Sequence, residues 1–410
     1  AFVGSLALFA FQARCQALPR FDLVLPLSMW ELFGGVVAAW TVCAFGHVLC
    51  WRTYCFFDCA SICQNDPDFK SAGIINIPAF ISASREFIVL WDERYLTRLW
   101  CVYEMAVAQS IEGIPIRILP MSVYASLTVW QLYWFVMEVA WLLIRSNVRG
   151  TLLCDFVGGV LCRLPLFAMH ARAGRGFADV YADLQQQFEA FDVRSAAISD
   201  ESDRRLIFDS IEEMFDGSLD NFNHKVRTTL KSTAMRSFTG RKATLPYWKM
   251  LWQSLAVMPA FCALWSTEGL VDTFEASPYR NAERVIFGVT FTFCGYPLFS
   301  AAAMELGRRC TRGAGPGGAR AALTYLGVGV LVTASFSAWT WCALTAPTLH
   351  LNGPVGALLM AVSVNGLAWG ATVWAFRPHA RVDADRAGPT SEAPRPSGVE
   401  PESNAGQDGP

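Results

Sequence analysis

The chain has 410 residues, of which 53% are hydrophobic and 17% are charged, and its formal net charge is −2. A chain so close to neutral offers no broad basic surface, so nucleic acid is excluded as its main partner. A typical soluble domain carries about 25% charged residues, and the deficit here favours a protein that contacts the lipid bilayer.

Long apolar stretches recur along the chain, and a bilayer-crossing helix needs roughly 20 predominantly apolar residues. They predict two apolar helices within residues 1–50, a transmembrane hairpin within 122–169 and four transmembrane helices within 247–376. Residue 1 falls inside an apolar run, so the first helix is expected to be incomplete. The stretch at 151–169 contains Asp155 and Arg163 and is either a span or a re-entrant or surface helix. The candidate spans are residues 1–18, 27–50, 122–145, 151–169, 247–267, 285–305, 321–346 and 354–376.

Residues 51–121 differ from their surroundings because short apolar runs alternate with helical periodicity. The runs at 54–57 and 87–91 are typical of parallel-sheet strands that are buried on both faces. A helix is predicted after each run, with Thr97 as a candidate cap for the second helix, and residues 115–120 predict a third strand. This alternation predicts a flavodoxin-like α/β fold with a parallel sheet.

The most specific motif of this segment is the block Trp-Cys-Val-Tyr-Glu at residues 100–104. With the strand-ending Asp58 and the order of elements, it resembles the middle of a Toll/interleukin receptor (TIR) domain over residues 52–121. The resemblance implies that Glu104 matches the catalytic glutamate of TIR-type NAD-cleaving enzymes, and that Asp58 and Trp100 line the same ligand cleft. NAD would then be a substrate, and no cofactor is implied.

Three functions remain open at this point. Many TIR modules self-associate or recruit other TIR-like modules, which favours a membrane protein that presents a signalling or assembly module. The first alternative is a membrane-tethered NAD nucleosidase that uses Glu104. The second is a transporter or channel, because ionisable residues such as Asp155 and Arg163 are costly inside a span and mark functional sites there.

Residues 170–246 predict a soluble segment that closes the TIR-like domain. A strand is expected at 191–198, followed by an amphipathic helix with Leu206, Ile207 and Ile211 on one side. Lys and Arg cluster at 225–249, at 308–320 and after residue 376, so the positive-inside rule places residues 51–121, 170–246 and the C-terminal tail in the cytosol. The tail, residues 377–410, is rich in Pro, Gly, Ser and Glu and is predicted to be disordered.

Cys55, Cys59 and Cys63 recur every four residues, a spacing that invites comparison with metal sites. No histidine stands at the spacing of a zinc finger, and Cys55 lies in a predicted strand. We therefore predict no metal site.

Overall fold

The computed structural model describes residues 2–15, 28–49, 54–57, 61–63, 65–111, 113–147, 152–238, 245–255, 258–267, 278–311, 318–344 and 354–376. The described residues are mainly helical, and residues 1–376 form one compact unit. The helices are α1 Phe2–Cys15, α2 Trp30–Leu49, α3 Pro67–Ile75, α4 Ile77–Ser82, α5 Leu99–Ser110, α6 Met121–Asn147, α7 Leu152–Glu189, α8 Ser202–Met214, α9 Leu219–Lys225, α10 Lys231–Phe238, α11 Tyr247–Ser254, α12 Met258–Thr267, α13 Pro278–Thr290, α14 Tyr296–Cys310, α15 Ala319–Leu344 and α16 Pro354–Phe376.

A two-stranded parallel sheet stands at the centre of the 51–121 segment. Strand β1 is Phe87–Trp91 and strand β2 is Ile116–Pro120, and α5 forms the crossover between them. The strand predicted at 115–120 and the helix before it are therefore confirmed. Only one face of the sheet is covered: Val89 and Ile118 are buried, whereas Ile88 and Leu90 are 43% and 49% exposed. The prediction that the strand at 87–91 is buried on both faces is wrong, because the described chain supplies a covering layer on one side only.

The strand predicted at 54–57 is not formed. These residues have no regular secondary structure, Tyr54 is 92% exposed, and the ring of Phe56 stacks on that of Phe80 at 4.5 Å between centroids. An aromatic run becomes a strand only where a neighbouring strand takes its backbone hydrogen bonds, and no described segment pairs with this one. The flavodoxin-like sheet thus amounts, in the described residues, to one βαβ unit.

The boundary predicted at residue 170 falls inside a continuous helix. Helix α7 runs from Leu152 to Glu189 without a break, although Pro165 lies within it. The predicted hairpin and the predicted soluble segment are therefore joined by one 38-residue helix.

The strand predicted at 191–198 is also absent, and a 3-10 helix at Val193–Ser195 takes its place. Asp192 accepts hydrogen bonds from the backbone N–H of Arg194 at 3.1 Å and from the side chain of Asn223 at 2.9 Å. Such local side-chain bonds compete with a strand ladder. Helix α8, in contrast, forms as predicted: Ile207 and Ile211 are buried, although Leu206 is 60% exposed.

The single span predicted at 247–267 is divided into two short helices, α11 and α12. Pro259 stands in the first turn of α12. Its ring nitrogen carries no hydrogen, so it cannot bond the carbonyl of Leu255, where a continuous helix would need that bond. Residues 256–257, between the two helices, lie outside the described residues, so a span at 247–267 stays a prediction.

Three described helical stretches are long and apolar enough to cross a membrane: Asn281–Cys310, Ala319–Ala343 and Val355–Phe376. The first consists of α13, α14 and the π-helical turn Phe291–Gly295 between them. Only 28% of the most apolar window of the last stretch is buried in the protein, and an exposed apolar surface of this extent is typical of contact with lipid. The stretches at 1–18, 27–50, 122–145 and 151–169 are helical where described, except that α2 begins only at Trp30, and their role as spans stays a prediction.

Pro297 removes a backbone hydrogen bond from the stretch Asn281–Cys310. It cannot donate to the carbonyl of Phe293, four residues earlier. The hydroxyl of Tyr247 donates to that carbonyl at 2.8 Å instead. A side chain from α11 thus satisfies a backbone group that the α13–α14 helix leaves open.

Helices α7 and α14 approach each other closely at two glycines, Gly174 and Gly307. A Cβ atom added to Gly307 would lie 2.6 Å from Cα of Ala171 and nearer still to its carbonyl oxygen. Reciprocally, a Cβ atom on Gly174 would lie 2.6 Å from Cα of Met304. The two backbones approach so closely because each helix places a glycine opposite the backbone of the other.

Candidate functional site

The candidate site is built on α5, which follows the carboxyl end of β1. No side chain caps its N-terminus: Thr97, the predicted cap, donates its hydroxyl to the carbonyl of Arg94 at 2.8 Å. The N–H of Leu99 instead donates to the carbonyl of Ala197 at 2.8 Å, and the N–H of Ala197 donates to the carbonyl of Thr97 at 2.7 Å. The start of α5 is therefore held by backbone from the 191–198 segment.

The other end of α5 is also held from the 170–246 segment. The ammonium of Lys225 donates to the carbonyl of Gln109 at 3.4 Å, next to the last residue of the helix. A cation at this end is favourable because it pairs with unsatisfied carbonyls and the negative end of the helix dipole. Both ends of the crossover helix are thus fixed by residues about a hundred positions later in the chain.

Tyr103 connects the middle of α5 with α8. Burial raises the pKa of its phenol, and a hydrogen bond with Ser210 of α8 partly opposes that rise. On the other side, the ring of Tyr103 meets Trp100 edge-to-face, with centroids 5.8 Å apart. The helix that carries the candidate residues is consequently a packed element with little freedom to rotate.

Trp100 and Glu104 share one side of α5, because residues four apart in a helix lie one above the other. Both side chains are half-buried. Trp100 packs against a hydrophobic cluster that contains Ile77 and Ile81 of α4. This arrangement places a partly exposed carboxylate on the same side of the helix as a partly exposed indole.

The carboxyl edge of the sheet, where open parallel sheets generally bind ligands, is occupied by apolar side chains. Trp91, at the end of β1, is 3% exposed, and Tyr95 and Leu96 in the following turn are 9% and 6% exposed. Strand β2 continues into α6 with no intervening residue. Asp58, the third predicted site residue, lies outside the described residues, so the structure brings together only Trp100 and Glu104.

No protein-family model, curated protein or solved structure matches this chain. The resemblance to TIR domains therefore depends on the residues of the 51–121 segment and on their placement in the fold.

Of Asp155 and Arg163, the two residues that favoured a transporter, the structure describes the side chain of Arg163. The guanidinium of Arg163 lies over the ring of Phe336 in α15, 4.8 Å from its centroid, and interacts electrostatically with Glu138 of α6. The side chain of Asp155 lies outside the described residues. These two contacts of Arg163 connect α7 with α6 and with α15.

A buried polar chain in the helix bundle was missed by the sequence reasoning. The hydroxyl of Tyr296 lies 3.4 Å from Nε2 of His170 and donates to Oε1 of Gln253 at 3.4 Å. Nε2 of Gln253 donates to the carbonyl of Leu127 at 2.7 Å, and the ring of His170 lies 4.1 Å from that of Trp130. The only signal for it was a glutamine inside an apolar stretch. These polar contacts connect α6, α7, α11 and α14 and fix the positions of the four helices relative to one another.

The part of the chain that the structure describes contains no group of side chains arranged to bind a metal ion. No three His, Cys, Asp or Glu side chains there lie close enough to hold an ion. Of the cysteines spaced by four, Cys55 and Cys63 are exposed free thiols, and Cys59 lies outside the described residues.

Proposed function

We propose that the chain is an integral membrane protein that presents a TIR-like module for signalling or protein assembly. The observation that carries the proposal is the β1–α5–β2 unit, whose crossover helix bears the Trp-Cys-Val-Tyr-Glu block at residues 100–104. The unit continues directly into helix α6, so any rearrangement of the module is passed to the bundle. The three apolar stretches at 281–310, 319–343 and 355–376 support the membrane anchor.

The 170–246 segment belongs to the same module in this proposal. Ala197 and Lys225 hydrogen-bond to the two ends of α5. Ile211 of α8 is fully buried in the same hydrophobic core as Leu99 of α5. The module and residues 170–246 then lie on one side of the membrane, for which the distribution of Lys and Arg favours the cytosol. Protease protection of tags at either end of the chain tests this orientation.

Self-association of full-length protein tests the assembly function. Two differently tagged copies are co-expressed and extracted in mild detergent. One copy is purified by its tag, and the second copy is then detected by the other tag. Co-purification is expected for co-expressed copies, and a sample mixed only after extraction controls for aggregation. Protein that stays monomeric both in detergent and after chemical cross-linking in the membrane would contradict the proposal.

NAD cleavage is the second candidate function, and the side-by-side placement of Trp100 and Glu104 favours it. NAD loss is measured with full-length protein, with Glu104→Gln, and with Glu213→Gln as a control at an exposed glutamate of α8. Turnover by the wild type and the control, but not by Glu104→Gln, is expected for an enzyme. Equal turnover by all three proteins would assign any activity to other residues or to a contaminant. No turnover by any of them would remove this candidate and leave the assembly module.

A further inference from the structure

Helix α11 exposes two tryptophans and buries three polar side chains together with Met250. Lys249, Gln253 and Ser254 are buried, at 6%, 2% and 0% exposure, whereas Trp248 and Trp252 are 52% and 69% exposed. The two tryptophans are four residues apart and therefore lie on one side of the helix. Large apolar side chains facing outward, with polar ones facing inward, are unfavourable in water and favourable against lipid.

The inward side of α11 is fixed to three other elements. Gln253 donates to the carbonyl of Leu127 in α6 at 2.7 Å, and Tyr247 donates to the carbonyl of Phe293 in the π-helical turn at 2.8 Å. The ring of Tyr247 also lies 5.2 Å from that of Phe376. These contacts settle which side of α11 faces outward.

The contact with Phe376 also places α11 at a definite depth. Phe376 is the last residue of α16, one of the three helical stretches able to cross a membrane. The final two turns of α16 expose Trp369 and Trp374, at 42% and 69%. Tryptophan concentrates where a span leaves the hydrocarbon and enters the headgroup layer, so the contact of Tyr247 with Phe376 places one end of α11 near this boundary.

We infer that α11 is an interfacial helix, which lies in the headgroup layer with Trp248 and Trp252 in contact with lipid. This inference depends on the membrane insertion included in the proposed function. The ammonium of Lys249 lies 5.4 Å from the ring of Trp248 and 5.2 Å from that of Tyr124. Cation–π contact of this kind orients the indole, and the helix then marks the membrane boundary next to the start of α6 and the end of β2.

Site-specific photo-cross-linking tests the inference in full-length protein reconstituted in vesicles of phosphatidylcholine and phosphatidylglycerol. The photoreactive residue p-benzoylphenylalanine is placed in turn at position 248, at 252, at 367 on α16 and at 206 on α8. All four native side chains are exposed, so folding is expected to survive each change. Lipid adducts, detected by mass spectrometry, are expected at 248, 252 and 367 and are expected to be absent at 206.

The four positions separate failure of this inference from failure of the proposed function. Adducts at 367 with none at 248 and 252 would overturn the interfacial helix and leave the membrane anchor intact. Cross-links from 248 or 252 to a second copy of the chain, in place of lipid, would overturn it as well. Absence of adducts at 367 would overturn membrane insertion by α16 and the inference together.

Discussion

Replacing Gly307 with alanine is expected to force α7 and α14 apart. The new Cβ atom would lie 2.6 Å from Cα of Ala171, whereas carbon atoms normally stay about 3.5–4.0 Å apart. Because the obstacle is backbone, no side-chain rotation relieves the clash, and the helices have to separate by about 1 Å. A gap of that size forfeits about a quarter to a half of each contact's attraction, and overpacking of this kind typically costs about 1–3 kcal/mol.

Alanine also favours a helix by about 1 kcal/mol relative to glycine, so a matched control is needed. Gly327 in α15 has no atom within 4 Å of its added Cβ position, and Gly327→Ala receives the helix preference without the clash. The free energies of unfolding of the two variants should therefore differ by about 1–3 kcal/mol, with Gly307→Ala the less stable.

Thermal unfolding of the detergent-purified protein, followed by tryptophan fluorescence, measures this difference. One kcal/mol shifts Tm by about 2–4 °C in chains of 150–250 residues, and a shift at the lower end is expected for a longer chain. A Tm of Gly307→Ala equal to or above that of Gly327→Ala would refute the close approach of α7 and α14. Adding Gly174→Ala to Gly307→Ala should cost less than it does alone, because the helices have already separated.

Three further predictions concern other parts of the fold. Tyr247→Phe leaves the carbonyl of Phe293 without a donor and should lower the free energy of unfolding by about 1–3 kcal/mol; an unchanged Tm in detergent would contradict that hydrogen bond. Ile211→Ala should cost about 2–5 kcal/mol, whereas the exposed Leu206→Ala should stay within about 0.5 kcal/mol of wild type; similar losses by denaturant titration would show that the buried side of α8 is wrongly assigned. Burial raises the pKa of Asp192, but hydrogen bonds and neighbouring arginines outweigh it, so its folded pKa lies below 3.8. Its stabilising contribution is therefore full above pH 3.8 and is lost as the pH falls through the folded pKa, and acid titration of Asp192→Asn should show a smaller loss of stability than that of the wild type.

Sequence periodicity predicted those elements whose signal is local. The amphipathic pattern of α8 predicts its helix, the apolar runs of β1 and β2 predict strands that then pair with each other, and all three elements formed. The run at 54–57 has the same composition as a buried strand, but a strand also needs a partner, which the composition of the run does not supply. Hydropathy alone predicts one continuous stretch at 247–267, and it gives no sign that α11 ends at Ser254 and that α12 begins at Met258.

The candidate site was predictable to a similar extent. The spacing of four between Trp100 and Glu104 places them on one side of a helix as soon as that helix is recognised. What holds the helix was not predictable, because Ala197 contributes only backbone atoms and leaves no trace in the pattern of side chains. Lys225 is one of many cations in its segment, and nothing in the sequence singles it out as the residue that reaches Gln109.

The uninterrupted course of α7 has a mechanical consequence. A helix of 38 residues is about 57 Å long at 1.5 Å per residue. One end lies in the predicted hairpin within 122–169, and the other lies in the predicted soluble segment at 170–246. Such a rod acts as a lever: a tilt of about 5° at one end displaces the other by about 5 Å over that length. If the span predicted at 151–169 crosses the bilayer, a change in bilayer thickness, which membrane helices accommodate by tilting, would be transmitted along α7 to the segment that contacts both ends of α5.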